Sequence, residues 1–316
     1  MPAPLVSIVI NNYNYGEFLG AAIESALDQS YAPVEVLVVD DGSTDGSREV
    51  IARYGPRVVP ILKANGGQAS AFNAGVAAST GRIICFLDSD DLFYRDKVSE
   101  TVALFIREPY ETKPLFVSHQ LEIIDRQGVP RRGRIGGRGG PPLNLYAYAK
   151  RYRFTYAPCG PTTGMSLNRV LADRIFPLPE EGLRVGADDF VRRAASLIGD
   201  CHAIDRVLGG YRVHGENRWY GTPDERIGPL EHVRNLQAYL NRLLLANELE
   251  PVISFHESMY YCVHLAESRQ WAALPKQALR AIARHPDLHT LRFMYLLAAD
   301  TIRRSLRERR LPAQTR

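Results

Sequence analysis

Hydrophobic positions in the first third of the chain fall into short runs that alternate with longer segments of helical spacing. Leu5–Ile10, Val34–Val39, Val58–Leu62 and Arg82–Leu87 are compact apolar runs rich in β-branched residues, each closed by polar or turn-forming residues. Between them, Gly16–Gln29 carries Phe18, Leu19, Ile23, Ala26 and Leu27 on one side, a helix starts at Ser43 or Asp45 and runs through Arg53, and Gln68–Ser79 has helical spacing. Strands apolar on both faces must be covered on both faces, so the pattern predicts a mostly parallel, doubly wound α/β sheet flanked by helices. Ligands of such sheets bind beyond the carboxyl ends of the strands. The polar clusters Asn11–Asn14, Asp40–Ser43 and Asp88–Asp91 all fall at such ends and predict one shared crevice.

The middle of the chain is less regular. Arg95–Arg107 is predicted as a helix, Leu115–Ile124 as a strand with a turn at Asp125–Gly128, and Arg131–Pro142 as a Gly/Arg-rich loop. Thr162–Leu167 reads as strand, Asp189–Leu197 as helix and Ala203–Val213 as extended chain. Beyond Asp224 only helical periodicity remains, over Leu230–Leu249, Ile253–Arg269, Leu274–His285 and Leu291–Arg310. The expected organisation is therefore an α/β domain over residues 1–223 and a helical C-terminal appendage over 224–316, with the boundary near Trp219–Gly228.

Composition narrows the class. Over 316 residues, 45% hydrophobic and 23% charged residues are ordinary globular values, which disfavours disorder, collagen and coiled coil. A net charge of +4 is too small to argue for nucleic acid. The four cysteines, Cys85, Cys159, Cys201 and Cys262, form no CxxC pair, so neither a zinc site nor a disulfide framework is expected and a reducing, cytoplasmic setting fits. The opening residues lack a charged leader before an apolar stretch, and no apolar run reaches membrane-spanning length; neither a signal peptide nor a span is expected. Arg131, Arg132, Arg134 and Arg138 could meet an anionic acceptor. Arg303, Arg304, Arg307, Arg309 and Arg310, with the stripe Leu291, Met294, Leu297 and Ile302, would suit peripheral contact with the inner face of a membrane. The same helices would equally pack on the main domain or support a homodimer.

The chemistry concentrates in acidic residues. Asp88-Ser89-Asp90-Asp91 follows the fourth strand, where alternation tends to send Asp88 and Asp90 to one side. Two carboxylates there repel unless a cation lies between them, and Mg²⁺ or Mn²⁺ takes one or two carboxylates plus substrate phosphates. The competing reading is a helix N-cap. Asp40 and Asp41 close the second strand, as turn residues or as acceptors for a base imide or a ribose hydroxyl. Gly66-Gly67 before a helix permits close backbone approach, and the helix N-terminus would suit phosphate. Asp188-Asp189 opens a helical stretch, as caps or as a general base. Of the eight histidines, His214 alone ends an extended run that could return to the crevice.

Together these segments resemble glycosyltransferase family 2, whose members share the GT-A fold. The resemblance covers about Val6 to Trp219. It is densest over Glu35–Ser47 (EVLVVDDGSTDGS) and Asn65–Asp91 (NGGQASAFNAGVAASTGRIICFLDSDD). Ser7–Asn14 is similar to the family's opening strand and nucleotide loop, although Asn11-Asn12 replace the more usual Pro-Thr. Pro161–Met165 resembles the acceptor-side segment, Gly186–Phe190 the Glu-Asp base motif and Tyr211–Asn217 the late His motif. The resemblance implies that Tyr13 and Asp41 hold the nucleobase with Asn11 nearby, and that Gly67 and Ser89 belong to the donor site. Asp88 contacts ribose or a metal-bound water, and Asp90, His214 and Asp88 serve the metal. Asp189 is the implied base; Asp188 stands where the family has Glu, which leaves either acid open.

The expected reaction is inverting transfer of a sugar from a nucleotide-diphosphate donor, most simply a UDP-sugar, to a saccharide or lipid-linked acceptor in bacterial polysaccharide or glycoconjugate synthesis, with Mn²⁺ or Mg²⁺. Two rivals remain. A sugar nucleotidyltransferase should open with a Gly-rich loop containing a basic residue, which Asn11–Gly16 lacks. A non-catalytic sugar-nucleotide-binding protein is countered by the acids at 88, 90 and 189.

Overall fold

The computed structural model describes residues 2–137, 139–156, 160–215, 217, 230–259, 261–268 and 270–310. Arg138, Cys159, Glu216 and the expected boundary at 219–228 lie outside the described residues, as do the side chains of residues 300–310 that carry the arginines of the tail.

The first half is built as the hydrophobic pattern demands. Strands β1 (Val6–Asn12), β2 (Val34–Asp41), β3 (Val59–Lys63) and β4 (Ile83–Asp88) alternate with helices α1 (Gly16–Leu27), α2 (Ser47–Ala52) and α3 (Gln68–Ala78). Their order β3-β2-β1-β4 is parallel throughout. Alternation along β1 explains the two coverings. Val6, Ile8 and Ile10 join Leu19, Ala22 and Ile23 of α1, together with Val98, Val102 and Phe105 of α4 (Lys97–Phe105), in one buried cluster. Val9 faces the other way, onto α3, where a Cβ on Gly75 would come within 2.4 Å of a Val9 methyl. That glycine lets α3 lie close against the sheet.

The second half of the sheet is mixed. β5 (Leu92–Phe93), β6 (Leu115–Ile124), β8 (Met165–Asn168) and β9 (Asp200–Arg212) continue the order as β4-β8-β6-β9-β5, with β6 and β9 parallel and the other pairs antiparallel. Nine strands are present among the described residues, the ninth being β7 (Pro130–Ile135), which pairs with β6. Here the expected Gly/Arg loop is in part a strand. The hairpin rests on backbone bonds and on Asp125, whose carboxylate accepts from the Gln127 and Val129 N–H groups, so no apolar face is needed. Helices α5 (Tyr146–Tyr152) and α6 (Arg169–Ile175) were not legible in the pattern; α7 (Ala187–Ile198) was.

By contacts the chain divides into two compact units. One comprises Met1–Tyr146, Tyr156–Thr222 and Arg242–Leu249; the other Ala147–Thr155, Pro223–Asn241 and Glu250–Arg316. The C-terminal helices are α8 (Leu230–Ala246), α9 (Tyr261–Glu267), α10 (Leu274–Arg284) and α11 (Leu288–Arg310). The stretch expected as one helix from Ile253 begins instead with an irregular segment and a 3-10 turn, Phe255–Glu257, before α9. In the second unit, Asp287 accepts from Arg151 and Tyr152, and Arg153 pairs with Glu257. Cys85, Cys201 and Cys262 are buried free thiols. Among the described residues no helix is long and apolar enough to cross a membrane.

Candidate active site

The three polar strand ends do meet. A cavity of about 650 Å³ is lined by Asn11–Tyr15, Asp41, Asn65, Gly67, Gln68, Ala71, Asp88–Asp90, Arg184, Val185, Tyr211 and Asn217. Its size suits a nucleotide-sized ligand. Another cavity of about 550 Å³, beside Tyr31, Ile106 and Tyr110, gathers none of these groups.

Asp88 ends β4, and Ser89-Asp90 form a turn closed by the Asp91 N–H donating to the Asp88 carbonyl at 3.1 Å. Asp88 and Asp90 therefore share the cavity, as alternation had suggested, but through a turn rather than along an extended chain. The Asn11 amide donates to Asp88 Oδ1 at 2.9 Å, and Asn11 Oδ1 is buried with no partner. Burial first, and the Asp90 charge next, push the Asp88 carboxyl up to about 7, with Asp188 adding to the rise. Asp91, 1% exposed, is likewise pushed well above the ordinary carboxylate range, by burial first and then by Asp90 and Asp88. It accepts from the Thr163 hydroxyl at 2.5 Å and from the Arg212 N–H at 2.8 Å. Thr163 Oγ1 also accepts the Asp88 N–H at 3.2 Å, which ties the acceptor-side segment to the acidic turn.

The end of β9 delivers His214. Its Nε2 lies 3.1 Å from Asp90 Oδ2, and its ring packs 4.9 Å from Phe18 and 5.5 Å from Tyr15. Asn217 locks this turn by accepting the His214 N–H at 2.8 Å and donating to the Arg212 carbonyl at 2.7 Å. Arg212, 3% exposed, donates to the Asp90 carbonyl at 2.6 Å and the Arg126 carbonyl at 2.8 Å. Among the described residues no three His, Cys, Asp or Glu side chains stand close enough to hold an ion unaided. The donor set nevertheless fits a hard divalent cation. Asp90 and His214 are adjacent, carboxylates crowd the turn, and such a cation takes much of its coordination from substrate phosphates.

On the opposite wall, Asp41 is 3% exposed and accepts from Lys63 Nζ at 2.7 Å, the Gly66 and Gly67 N–H groups at 2.9 and 2.7 Å, and the Asn65 amide at 3.1 Å. These four donors fill a carboxylate's acceptor capacity. The Gly66-Gly67 pair was expected to permit close backbone approach, at a helix N-terminus that would suit phosphate. The Gly66 and Gly67 N–H groups are taken by Asp41, and the Gln68 and Ala69 N–H groups by the carbonyls of Arg184 at 2.9 Å and Leu183 at 3.3 Å. The anion held by this turn is the protein's own. Gly67 keeps its close-approach role for another partner. Its φ is +90°, and a Cβ there would lie 2.6 Å from the Arg184 backbone. Tyr13 is 48% exposed at the cavity mouth.

Asp188 and Asp189 occupy the first turn of α7. Asp188 accepts from Arg192 at 3.0 Å, and its charge is felt at both Asp88 and Tyr211. Asp189 accepts from Arg193 at 2.7 Å, with Arg192 at 3.7 Å. Composition and motif reasoning missed Lys63, Gln68, Arg184 and Arg212. Lys63 had a signal, since it ends the third strand in register with Asp41. Arg184 and Gln68 meet across more than a hundred residues and had none.

The model for glycosyl transferase family 2 matches residues 7–172. The chain belongs to glycosyltransferase family 2. An uncharacterized glycosyltransferase of Nostoc sp. (strain PCC 7120) is 35% identical over 217 residues, 67% of this chain and 66% of that protein. The chondroitin synthase of Pasteurella multocida is 44% identical over 108 residues, which are 33% of this chain and 11% of the synthase. The chain thus spans just under two thirds of the first relative and a small part of the second. Among solved structures, S. aureus TarS in complex with UDP aligns with a TM-score of 0.56 at 18% identity, covering 89% of this chain and 81% of that one. The family's GT-A fold accounts for a parallel nucleotide half followed by a mixed half.

Proposed function

We propose that this family 2 chain is an inverting glycosyltransferase that moves a sugar from a nucleotide-diphosphate donor to an acceptor hydroxyl. The observation that carries the reading is that Asp88 and Asp90 line one cavity, with His214 from a distant segment 3.1 Å from Asp90 behind them, and that nearby helix α7 brings a further carboxylate whose charge reaches Asp88. UDP is the favoured nucleotide, supported by the fold shared with TarS, which was solved with UDP. A saccharide or lipid-linked acceptor is supported by relatives named chondroitin synthase and hyaluronan synthase.

Tyr13 offers an exposed ring for base stacking at the mouth. An imide N–H would reach Asp41 by displacing one of its two side-chain donors, Lys63 or Asn65. Asn11 Oδ1, buried and unpartnered, would accept a ribose hydroxyl while its amide keeps Asp88 oriented. Asp90 and His214 would hold Mn²⁺ or Mg²⁺, with Asp88 beside them; when bound, the cation supplies Lewis-acid stabilisation of the departing diphosphate. The residue proposed as general base is Asp188, because its charge reaches the Asp88 side of the site; it is paired with Arg192 as Asp189 is with Arg193. It would take the proton of the attacking hydroxyl as that oxygen approaches the anomeric carbon. Contact with a lipid surface is a further part of the reading, supported by exposed Leu288, Leu291 and Tyr295 along α11.

The test compares Asp188→Asn with Asp189→Asn, measuring UDP release from UDP-N-acetylglucosamine and other UDP-hexoses with Mn²⁺. Loss in the first and near-parental turnover in the second supports the assignment; the reverse moves the base to Asp189.

A further inference from the structure

The base proposed above stands on the first turn of α7, and that turn has no side-chain cap of its own: the N-cap, Gly186, is left-handed at φ 76°. An uncapped first turn has free N–H groups and frays readily. Here the Ala187 N–H is taken at 3.0 Å by Oε1 of Gln68, a residue 119 positions earlier in the chain. The same glutamine donates its backbone N–H to the Arg184 carbonyl at 2.9 Å, and its Nε2 reaches Thr162 Oγ1 at 3.5 Å. Thr162 precedes Thr163, whose hydroxyl binds both the Asp88 N–H and the Asp91 carboxylate. On its other side Gln68 follows Gly67, whose N–H is fixed to Asp41.

We propose that Gln68 is the positioning residue for the base: it ties the start of α7 to the nucleotide-side turn and to the acceptor-side segment, and so sets where Asp188 stands relative to the donor. The proposal rests on the reading of Asp188 as base. Gln68 lines the cavity wall, and the proposal assigns its effect to the Ala187 N–H rather than to contact with a reacting atom. The geometry requires an acceptor of this reach at position 68. Glutamate retains it, while leucine fills similar space without it. A displacement of the order of 1 Å in a reacting group costs up to about 10²-fold in rate.

The experiment measures UDP release from a UDP-hexose panel with Mn²⁺, UDP affinity by calorimetry, and amide exchange over residues 183–190. Four proteins are compared with the parent: Gln68→Leu, Gln68→Glu, Asp188→Asn and the Gln68→Leu/Asp188→Asn double variant. Gln68→Leu is expected to lower kcat by about 10–100-fold with KM and UDP affinity within about twofold, and Gln68→Glu to recover most of the loss. The double variant should be no slower than Asp188→Asn alone, because the two residues act as one unit. Exchange at the start of α7 should quicken in Gln68→Leu and not in Gln68→Glu. Parental kcat in Gln68→Leu, a parallel loss of UDP affinity, or losses that multiply in the double variant would overturn the proposal. The exchange readout needs no donor, so it keeps the two readings apart: an active Asp188→Asn removes the base assignment, whereas unchanged exchange in Gln68→Leu removes the link whichever acid reacts.

Discussion

The two ends of the parallel strands treat their carboxylates in opposite ways. At the amino end, Glu35 at the start of β2 accepts from the Ser7 hydroxyl at 2.6 Å, the Thr80 N–H at 2.6 Å and the Gly81 N–H at 3.1 Å. Burial works to raise its pKa, and these bonds outweigh it, so the pKa falls below the ordinary value. At the carboxyl end, Asp88 and Asp91 are also hydrogen-bonded, yet their pKa values rise, through burial first and then through the neighbouring carboxylates. The first acid is a finished piece of architecture that pins β1, β2 and the turn before β4. The second group is held in a costly arrangement by Thr163, Arg212 and Asn11, which is the state expected where a cation and a ligand complete the charge balance. A carboxylate at a strand end is thus informative only with its partners.

The contrast can be broken by substitution, and the largest effect belongs to the base. Asp188→Asn should lower turnover by about 10²–10⁴-fold while UDP affinity stays near parental, checked by UDP release and calorimetry. Next is Asp90→Ala, which should weaken UDP binding in Mn²⁺ by roughly tenfold or more and do little to binding without metal. At the amino end, Glu35→Gln should cost about 1–2 kcal/mol of stability in urea unfolding at neutral pH, a modest figure for a half-buried group. The sign of its pH dependence follows from the lowered pKa. The contribution of Glu35 is present above its unfolded value, near 4.5, and is lost as pH falls through the folded value, so variant and parent converge in acid. The smallest effect, opposite in sign, is expected for Asp88→Asn without ligand: stability unchanged or raised by up to about 1 kcal/mol, because a crowded charge is removed. A loss of 2 kcal/mol or more there would erase the distinction between the two ends.

Legibility follows the same divide. β1, β2 and β4 were readable because strands buried on both faces leave mostly apolar runs, and α1 because its buried face repeats at helical spacing. β7 was unreadable, since an exposed hairpin strand built of Arg131, Arg132, Gly133 and Arg134 needs no apolar side. The acids of the site were legible because turn signals at strand ends mark them. Their supports were not: Arg212 serves carbonyl oxygens from the Asp90 and Arg126 backbones, and Gln68 serves an N–H 119 residues away, contacts that only the fold creates. In the same way, nothing local announces that Asp41 occupies the Gly66 and Gly67 N–H groups.

The central claim is that the crowded acids at 88 and 90, with His214, complete a cation and diphosphate site. Calorimetric titration of the parent protein with UDP, with and without Mn²⁺, tests it most directly. The account predicts binding that strengthens markedly with Mn²⁺ and loses that gain in Asp90→Ala. Equal UDP affinity with and without the metal in the parent would contradict it.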